Sequence, residues 1–371
     1  EYSSSSSVTA VGGSDVGGVA GICADAGAVI ADCRNNGIVT AKKNAGGIVG
    51  SATADGVVIR NCSNTSTVYA DTNSAGVLAY NPKQINKQIT NDAGEVIETV
   101  TVNVITTVTD CSNSGSISSL ETSGGIIAYA RAVVTGCTNS GVVTSTVGAG
   151  GIAANAHASV ENCVNSGEIN GTLYAGGIAS LGEVTVDKSI NRAAVISVDG
   201  AAAGIAAGGK AEIAYSYNTG AVTGNSFAGG LAVNTDNSKL VSSHNFAGVT
   251  AQQADGVAAN STGLTVERCY TASELSTTAV GSNATKELFY CGYVAVFLNG
   301  EEIASHDGGY STWRVDFTDK IADNNLFVIA VDNSANDRVY PQNADFTFYG
   351  GLYRDVNIIG VSKSHFDLDY Y

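Results

Sequence analysis

The sequence predicts an all-β protein: a parallel β-helix, or solenoid, of about nine to ten coils, followed by a β-sandwich or part of one. Three observations carry this expectation. A Cys-x-Asn phrase recurs at nearly constant spacing through residues 1–272, a small-residue corner of the type Ala-Gly-Gly-Ile precedes each copy, and the amino-acid texture changes abruptly near Leu288.

The phrase reads Cys33-Arg34-Asn35, Cys62-Ser63-Asn64, Cys111-Ser112-Asn113, Cys137-Thr138-Asn139 and Cys163-Val164-Asn165. Degenerate copies follow at Ser189-Ile190-Asn191, Ser216-Tyr217-Asn218 and Ser243-His244-Asn245, and Cys269 closes the row without an Asn. The corner recurs at Gly17, Gly46, Ala75, Gly124, Gly150, Gly176, Ala203, Gly229 and Asp255, in steps of 29, 29, 49, 26, 26, 27, 26 and 26 residues. A unit of this period cannot bury its apolar face alone, so each coil depends on the coils above and below it. Within a repeat, three short apolar stretches separated by Gly, Asn or Ser (151–154, 158–161 and 168–169 in one coil) predict three strands and a triangular section. Stacking at about 4.8 Å per coil gives a rod roughly 40–45 Å long.

Equivalent positions then form columns. Cys33, Cys62, Cys111, Cys137 and Cys163 are expected as a ladder of small, weakly polar, buried side chains, with Ser taking the slot in later coils. Asn35, Asn64, Asn113, Asn139 and Asn165 are the matching turn column, where amides can bond one another up the stack. The Gly that usually follows is expected to supply a positive φ at the corner. Eight cysteines in an exported chain are compatible with disulfides. Six in one slot point instead to buried free thiols, although stacked neighbours are close enough for a bridge, and both states remain open. No CxxC occurs, so no zinc site is expected.

A net charge of −16 over 371 residues argues against nucleic acid or an anionic membrane as partner. No apolar run approaches the ~20 residues of a membrane-inserted span. The chain has no Met, which predicts a mature or excised segment of something larger, secreted or held at a bacterial cell surface. One repeat carries an insertion at about 81–108, where alternation in Val-Ile-Glu-Thr-Val-Thr-Val predicts a hairpin around Asn91-Asp92-Ala93-Gly94. Such a hairpin is either a binding flap or a plain loop insertion.

Residues 273–287 (Ser, Thr and Ala-rich) predict a linker. Beyond it, residues 288–371 hold 7 of the 9 Phe, 8 of the 16 Tyr and the single Trp. Strands are expected at 293–298, 313–317, 326–331 and 354–359, with aromatic cores and polar turns.

Four phrases in this region carry a resemblance. They are Phe297-Leu298-Asn299-Gly300-Glu301-Glu302, Ser305-His306-Asp307-Gly308-Gly309-Tyr310, Val331-Asp332-Asn333, and Ala344-Asp345-Phe346-Thr347-Phe348-Tyr349-Gly350-Gly351-Leu352-Tyr353-Arg354-Asp355-Val356. In order and spacing, residues 287–371 closely resemble the sugar-binding jelly-roll domain of glycoside hydrolase family 2, the β-galactosidase and β-glucuronidase family. The repeats more loosely resemble the GLUG-type repeats of bacterial surface proteins. The resemblance implies a partial jelly roll, because the front half of that domain has no counterpart, and a further domain or chain is expected to complete it. His365-Phe366-Asp367-Leu368-Asp369-Tyr370-Tyr371 is similar to the family's join to its next domain. The family's catalytic barrel, with the two carboxyls that retaining hydrolysis needs, has no counterpart here, so no catalytic residue is assigned.

In the family, the Asp of the fourth phrase contacts a sugar hydroxyl, which makes Asp345 a ligand candidate; its alternative is a turn carboxylate. Trp313, Tyr310 and Tyr340 are candidate stacking platforms for a sugar face, or else sandwich core. No cofactor is expected. Asp332 and Asp337, in an oxygen-rich run, are candidates for a structural calcium, without EF-hand spacing or a closing Glu. The expected partner is a glycan or polysaccharide. Two function classes follow: a non-catalytic carbohydrate-binding accessory region of a family 2-like glycosidase, with the solenoid as spacer or recognition arm, or a stand-alone surface adhesion protein with a borrowed sugar-binding module. An enzymatic solenoid is disfavoured because its charges look scattered along the sequence.

Overall fold

The computed structural model describes residues 2–4, 8–9, 13–91, 96–267, 269–271, 275–280, 293–307, 314–322, 324–332, 356 and 358. It divides into two compact units, Glu1–Thr285 and Lys286–Tyr371.

The first unit is a parallel β-solenoid of about nine turns. Each coil returns the chain to the same position one strand higher, so equivalent residues pair parallel and in register. One ten-stranded sheet runs from Tyr2–Ser4 through Cys33–Asn35 to Tyr270–Thr271. The coil has five short strands rather than the three expected: Cys33–Asn35, Val39–Ala41, Asn44–Gly46, Val49–Ala52 and Val58–Arg60 in one turn. Corners that read as turns in the sequence are short enough to pair with their copies above and below, and the pairing makes them strands. The segment expected as linker also joins the stack, since Leu275–Val280 pairs parallel with Val249–Asp255.

The core is built from columns. Val39, Val68, Ile117, Val143, Ile169, Val195, Val222 and Val249 occupy one register position and are all buried. Branched aliphatics stack well on a pleated surface, and burying each contributes about 1.5–3 kcal/mol. A second, larger apolar column contains Ile48, Ile126, Ile152, Ile178 and Ile205 together with the cysteine slot.

The cysteine slot is a hydrogen-bonded ladder. Each thiol donates to the carbonyl two residues before it, as in Cys62 to Arg60 at 3.2 Å and Cys111 to Thr109 at 3.2 Å. It also accepts the slot N–H of the preceding coil, Cys62 to Cys111 and Cys111 to Cys137 at 3.4 Å each. Ser189, Ser216 and Ser243 repeat both contacts with shorter, oxygen-based bonds, the slot N–H groups reaching them at 3.1 Å. This shared geometry is why Ser replaces Cys without disturbing the stack. All the described cysteines are free. The neighbouring Cys137 thiol, with burial, pushes Cys111 up to about 12, so it stays protonated. Cys137→Ser is therefore expected to cost under about 1.5 kcal/mol, whereas Cys137→Val strands the buried Cys111 N–H and costs about 1–3 kcal/mol more. Paired urea denaturations check this; equal losses for the two variants would contradict it.

The asparagine column is a continuous chain of amide bonds. Asn35, Asn64, Asn113, Asn139, Asn165, Asn191 and Asn218 each give one Nδ2 proton to the Oδ1 of the next Asn at 2.7–2.8 Å, and the last, Asn245, donates to the Thr271 hydroxyl at 3.3 Å. The other Nδ2 proton closes a local turn on the carbonyl two residues ahead, as in Asn139 to Gly141 at 2.9 Å.

The positive φ expected after the Asn lies elsewhere. The residue before the Cys slot is left-handed: Asp32, Asn61, Asp110, Gly136, Asn162, Lys188, Tyr215 and Ser242, with φ between 45° and 66°. Asn and Asp, which tolerate this region best, fill half of these positions. The Gly after the Asn is selected by crowding instead. A Cβ on Gly141 or Gly167 falls 2.0 Å from a carbonyl oxygen of the preceding coil.

The insertion forms an antiparallel hairpin, Gln84–Thr90 with Val96–Asn103, rooted by register at Gln84 and Asn103. In the second unit, the described strands form one antiparallel sheet with Tyr293–Leu298 between Glu301–Asp307 and Phe327–Asp332. Asn299 (φ 52°) and Gly300 (φ 93°) make the tight turn, the double positive φ that matches hairpin twist. The strand expected at 313–317 does not form at 314–317, which is irregular and leads into a 3-10 turn, Thr318–Lys320; Asp316 Oδ1 accepts the Thr318 N–H at 3.0 Å. Val356 and Ile358, within the strand expected at 354–359, carry no strand pairing, and the rest of that segment lies outside the described residues.

Candidate functional site

The ligand candidates Asp345, Trp313, Tyr310 and Tyr340 lie outside the described residues, as does Asp337. Asp332 ends the strand Phe327–Asp332, and its side chain is likewise outside them. Among the described residues no group of three or more His, Cys, Asp and Glu is placed to hold a metal ion.

The described residues do bring one polar site together, on the outer face of the solenoid. Strands Arg131–Thr135, Ala156–Glu161, Gly182–Asp187 and Ala206–Ala214 are neighbours in one sheet. Their register sets Arg131 beside His157, His157 beside Glu183 and Glu183 beside Lys210. Two residues further along each strand, on the same face by strand periodicity, come Val133, Ser159, Thr185 and Glu212. All of these except Val133 line an open depression of about 280 Å³.

Behind Arg131, at one end of it, the root of the hairpin insertion is fixed to the sheet. Asn81 is fully buried and acts as a clamp. Its Nδ2 donates to the Arg131 carbonyl at 2.8 Å, while its Oδ1 accepts the Arg131 N–H at 2.9 Å and the Lys83 N–H at 3.0 Å. Lys83 is thereby held in a left-handed turn (φ 60°) with Nζ 3.8 Å from the centre of the Tyr129 ring, a cation–π contact. Tyr129 stacks in turn on Tyr80, ring centres 5.5 Å apart.

The electrostatics are unusual for so acidic a chain. Burial, then the nearby Arg131 charge, lowers Lys83 to about 8. Burial followed by Lys83 and Arg131 also lowers His157, partly offset by Glu183, whose Oε2 is 3.5 Å from His157 Nδ1. Arg131 Nε is buried with no hydrogen-bond partner among the described residues. On the far side Lys210 and Glu212 pair at 3.9 Å. The site thus joins a cationic end, including a donor without a partner among the described residues, to a row of carboxylate and hydroxyl acceptors with Lys210 at its far side.

Sequence reading missed this cluster, although a signal was present. Arg131, His157, Glu183 and Lys210 each lie six residues before a Cys or Ser slot, at Cys137, Cys163, Ser189 and Ser216. Charges that look scattered along the chain share one phase of the repeat, but four different residue types make no motif.

No family model matches the chain. Over 97 residues, 25% of this chain, it is 35% identical to the "Putative beta-glucuronidase" of Formosa agariphila, and the match covers 12% of that protein. Over 78 residues, 20% of this chain, it is 36% identical to the β-glucuronidase of Bacteroides fragilis, covering 11% of that protein. The chain therefore spans only about a tenth of the length of these curated relatives, and what it carries is a solenoid together with a region related to glycoside hydrolases.

Proposed function

We propose that this chain is a non-catalytic, carbohydrate-binding accessory region of an exported bacterial protein related to family 2 glycoside hydrolases. The observation that carries this reading is the similarity to two β-glucuronidases over a quarter or less of the chain, joined to a solenoid of about nine turns. In this reading residues 288–371 are the partial jelly roll, with Asp345, Trp313, Tyr310 and Tyr340 as sugar contacts. The solenoid, of the GLUG type, is a spacer or a glycan-recognition arm. Its columns suit that role, because every coil is braced by two and the outer face is free to vary.

A second reading is a stand-alone surface adhesion protein with a borrowed sugar-binding module. It is favoured by the share of the chain given to the solenoid unit, Glu1–Thr285.

The test is turnover. The chain alone is expected to release no chromophore from aryl β-glucuronides or aryl β-galactosides. Hydrolysis that disappears in Asp345→Ala would overturn the non-catalytic assignment.

A further inference from the structure

We propose that the depression on the solenoid face is a binding site for an acidic saccharide, a sugar chain bearing carboxylate or sulfate groups. The inference rests on the carbohydrate-binding reading above and adds to it a place and a ligand class.

Complementarity argues for it. Arg131 lines one end, and Lys83, held beside its strand by the Asn81 clamp and the Tyr129 ring, is near enough to feel its charge; among the described residues neither has a carboxylate partner. Two like charges that act on each other repel, and Arg131 Nε is buried without an acceptor among the described residues. An oxyanion placed there relieves the repulsion and accepts that proton, and Arg presents paired donors in a fork suited to a carboxylate or sulfate. The insertion matters because Lys83 belongs to its root; without it this end holds one cation fewer.

The other end asks for the opposite chemistry. Glu183, Glu212, Ser159 and Thr185 line it there, beside Lys210, which pairs with Glu212 at 3.9 Å, and an ionised carboxylate can only accept hydrogen bonds. An inorganic anion offers it nothing and is repelled. A saccharide hydroxyl donates to it. One ligand carrying both an anionic group and several hydroxyls satisfies both ends. The geometry fits an extended chain as well: the columns run from coil to coil at about 4.8 Å per step, close to the length of one sugar residue in an extended polysaccharide.

The depression is open and polar, which suits a glycan lying along a surface rather than a small apolar ligand enclosed in a pocket.

The experiment is calorimetric titration of the intact chain with three probes: an acidic oligosaccharide (an oligouronate), its carboxyl-reduced neutral counterpart, and sodium sulfate. The oligouronate is expected to bind at least about tenfold more tightly than the reduced form, and to weaken as salt is added. Lys83→Gln and Arg131→Gln should each lose about tenfold or more for the oligouronate. Lys83→Gln retains the backbone clamp if Arg131→Gln disturbs the fold, and thermal melts identify which variants are folded. Glu183→Gln should weaken the oligouronate while leaving sulfate no weaker.

Equal binding of reduced and acidic oligosaccharides, or full affinity in folded Lys83→Gln and Arg131→Gln, would overturn the site while leaving carbohydrate binding in place. Sulfate binding as tight as the oligouronate would overturn the saccharide assignment. Binding of none of the three probes would overturn the proposal; a neutral glycan retained elsewhere on the chain would show that the broader reading survives.

Discussion

Asn139→Ala is expected to destabilise the solenoid by about 3–5 kcal/mol, far more than a buried polar-to-alanine change at an isolated site. Asn139 takes part in three amide bonds at once. It accepts from Asn113 at 2.8 Å, donates to Asn165 at 2.8 Å and donates to the Gly141 carbonyl at 2.9 Å. Its removal leaves a buried Nδ2 proton of Asn113 and the Gly141 carbonyl unpaired, and leaves Asn165 Oδ1 with only the Gly167 N–H at 3.3 Å. Each such group costs about 1–3 kcal/mol, and no water has an obvious route to residues that are fully buried. The solenoid is a nearest-neighbour stack, so the damage should first appear as local opening of the coils around residues 113–165. Hydrogen exchange resolved by peptide, alongside urea denaturation, reads both. A loss under about 1 kcal/mol would mean that the ladder contributes little.

The second large effect concerns the paired glycines of the corner. Gly151→Ala is expected to cost at least about 3 kcal/mol or to prevent folding, because a Cβ there falls 2.0 Å from the Gly177 carbonyl oxygen and 2.5 Å from Asn165 Cγ. Neither neighbour is a flexible chain end: one is backbone of the next coil and the other is a rung of the amide ladder. The same conflict recurs at Gly47 with Asn64, Gly125 with Asn139, Gly177 with Asn191 and Gly204 with Asn218. The second corner glycine therefore exists to admit the asparagine, and the two sequence phrases are halves of one device. Gly248→Ala is the control. A Cβ there meets nothing within 4 Å, so the change should stay within about 0.5 kcal/mol. Equal losses at Gly151 and Gly248 would refute the crowding argument.

The solenoid was legible because its signal is a repeated phase, and a constant offset between phrases is enough to stack coils in register. The five-strand coil was not. Segments such as Asn44–Gly46 and Ser63–Asn64 have no strand propensity of their own and become strands only through their neighbours in the stack. The left-handed corner was misplaced for a related reason: glycine is the usual mark of positive φ, but here Asp32, Asn61, Asp110 and Asn162 carry it while the conspicuous glycines answer to close approach. In the second unit, the turn at Asn299-Gly300 was visible in sequence, whereas 314–317 reads as a strand by its alternation and is instead irregular.

The polar depression shows a different limit. A motif search looks for particular residues at a spacing, and here only the spacing is shared. Once the coils are in register, Arg131, His157, Glu183 and Lys210 become neighbours although 26 or 27 residues separate each pair. Lys83 is less predictable still, because an insertion and a single buried amide bring it beside the Arg131 strand. A repeat protein can hold its columns fixed and write its specificity on the outward positions, and a reader of such sequences gains by aligning the repeats and scanning the outward phases for charge.

Carbohydrate binding without cleavage is the central claim, and affinity electrophoresis of the intact 371-residue chain tests it most directly. The chain is run through native gels cast with acidic or neutral polysaccharides, and the gels are then assayed for new reducing ends. The account predicts retardation in at least one polysaccharide, strongest in an acidic one, with no reducing ends formed. Migration unchanged in every gel, or reducing ends generated along the track of the protein, would contradict it.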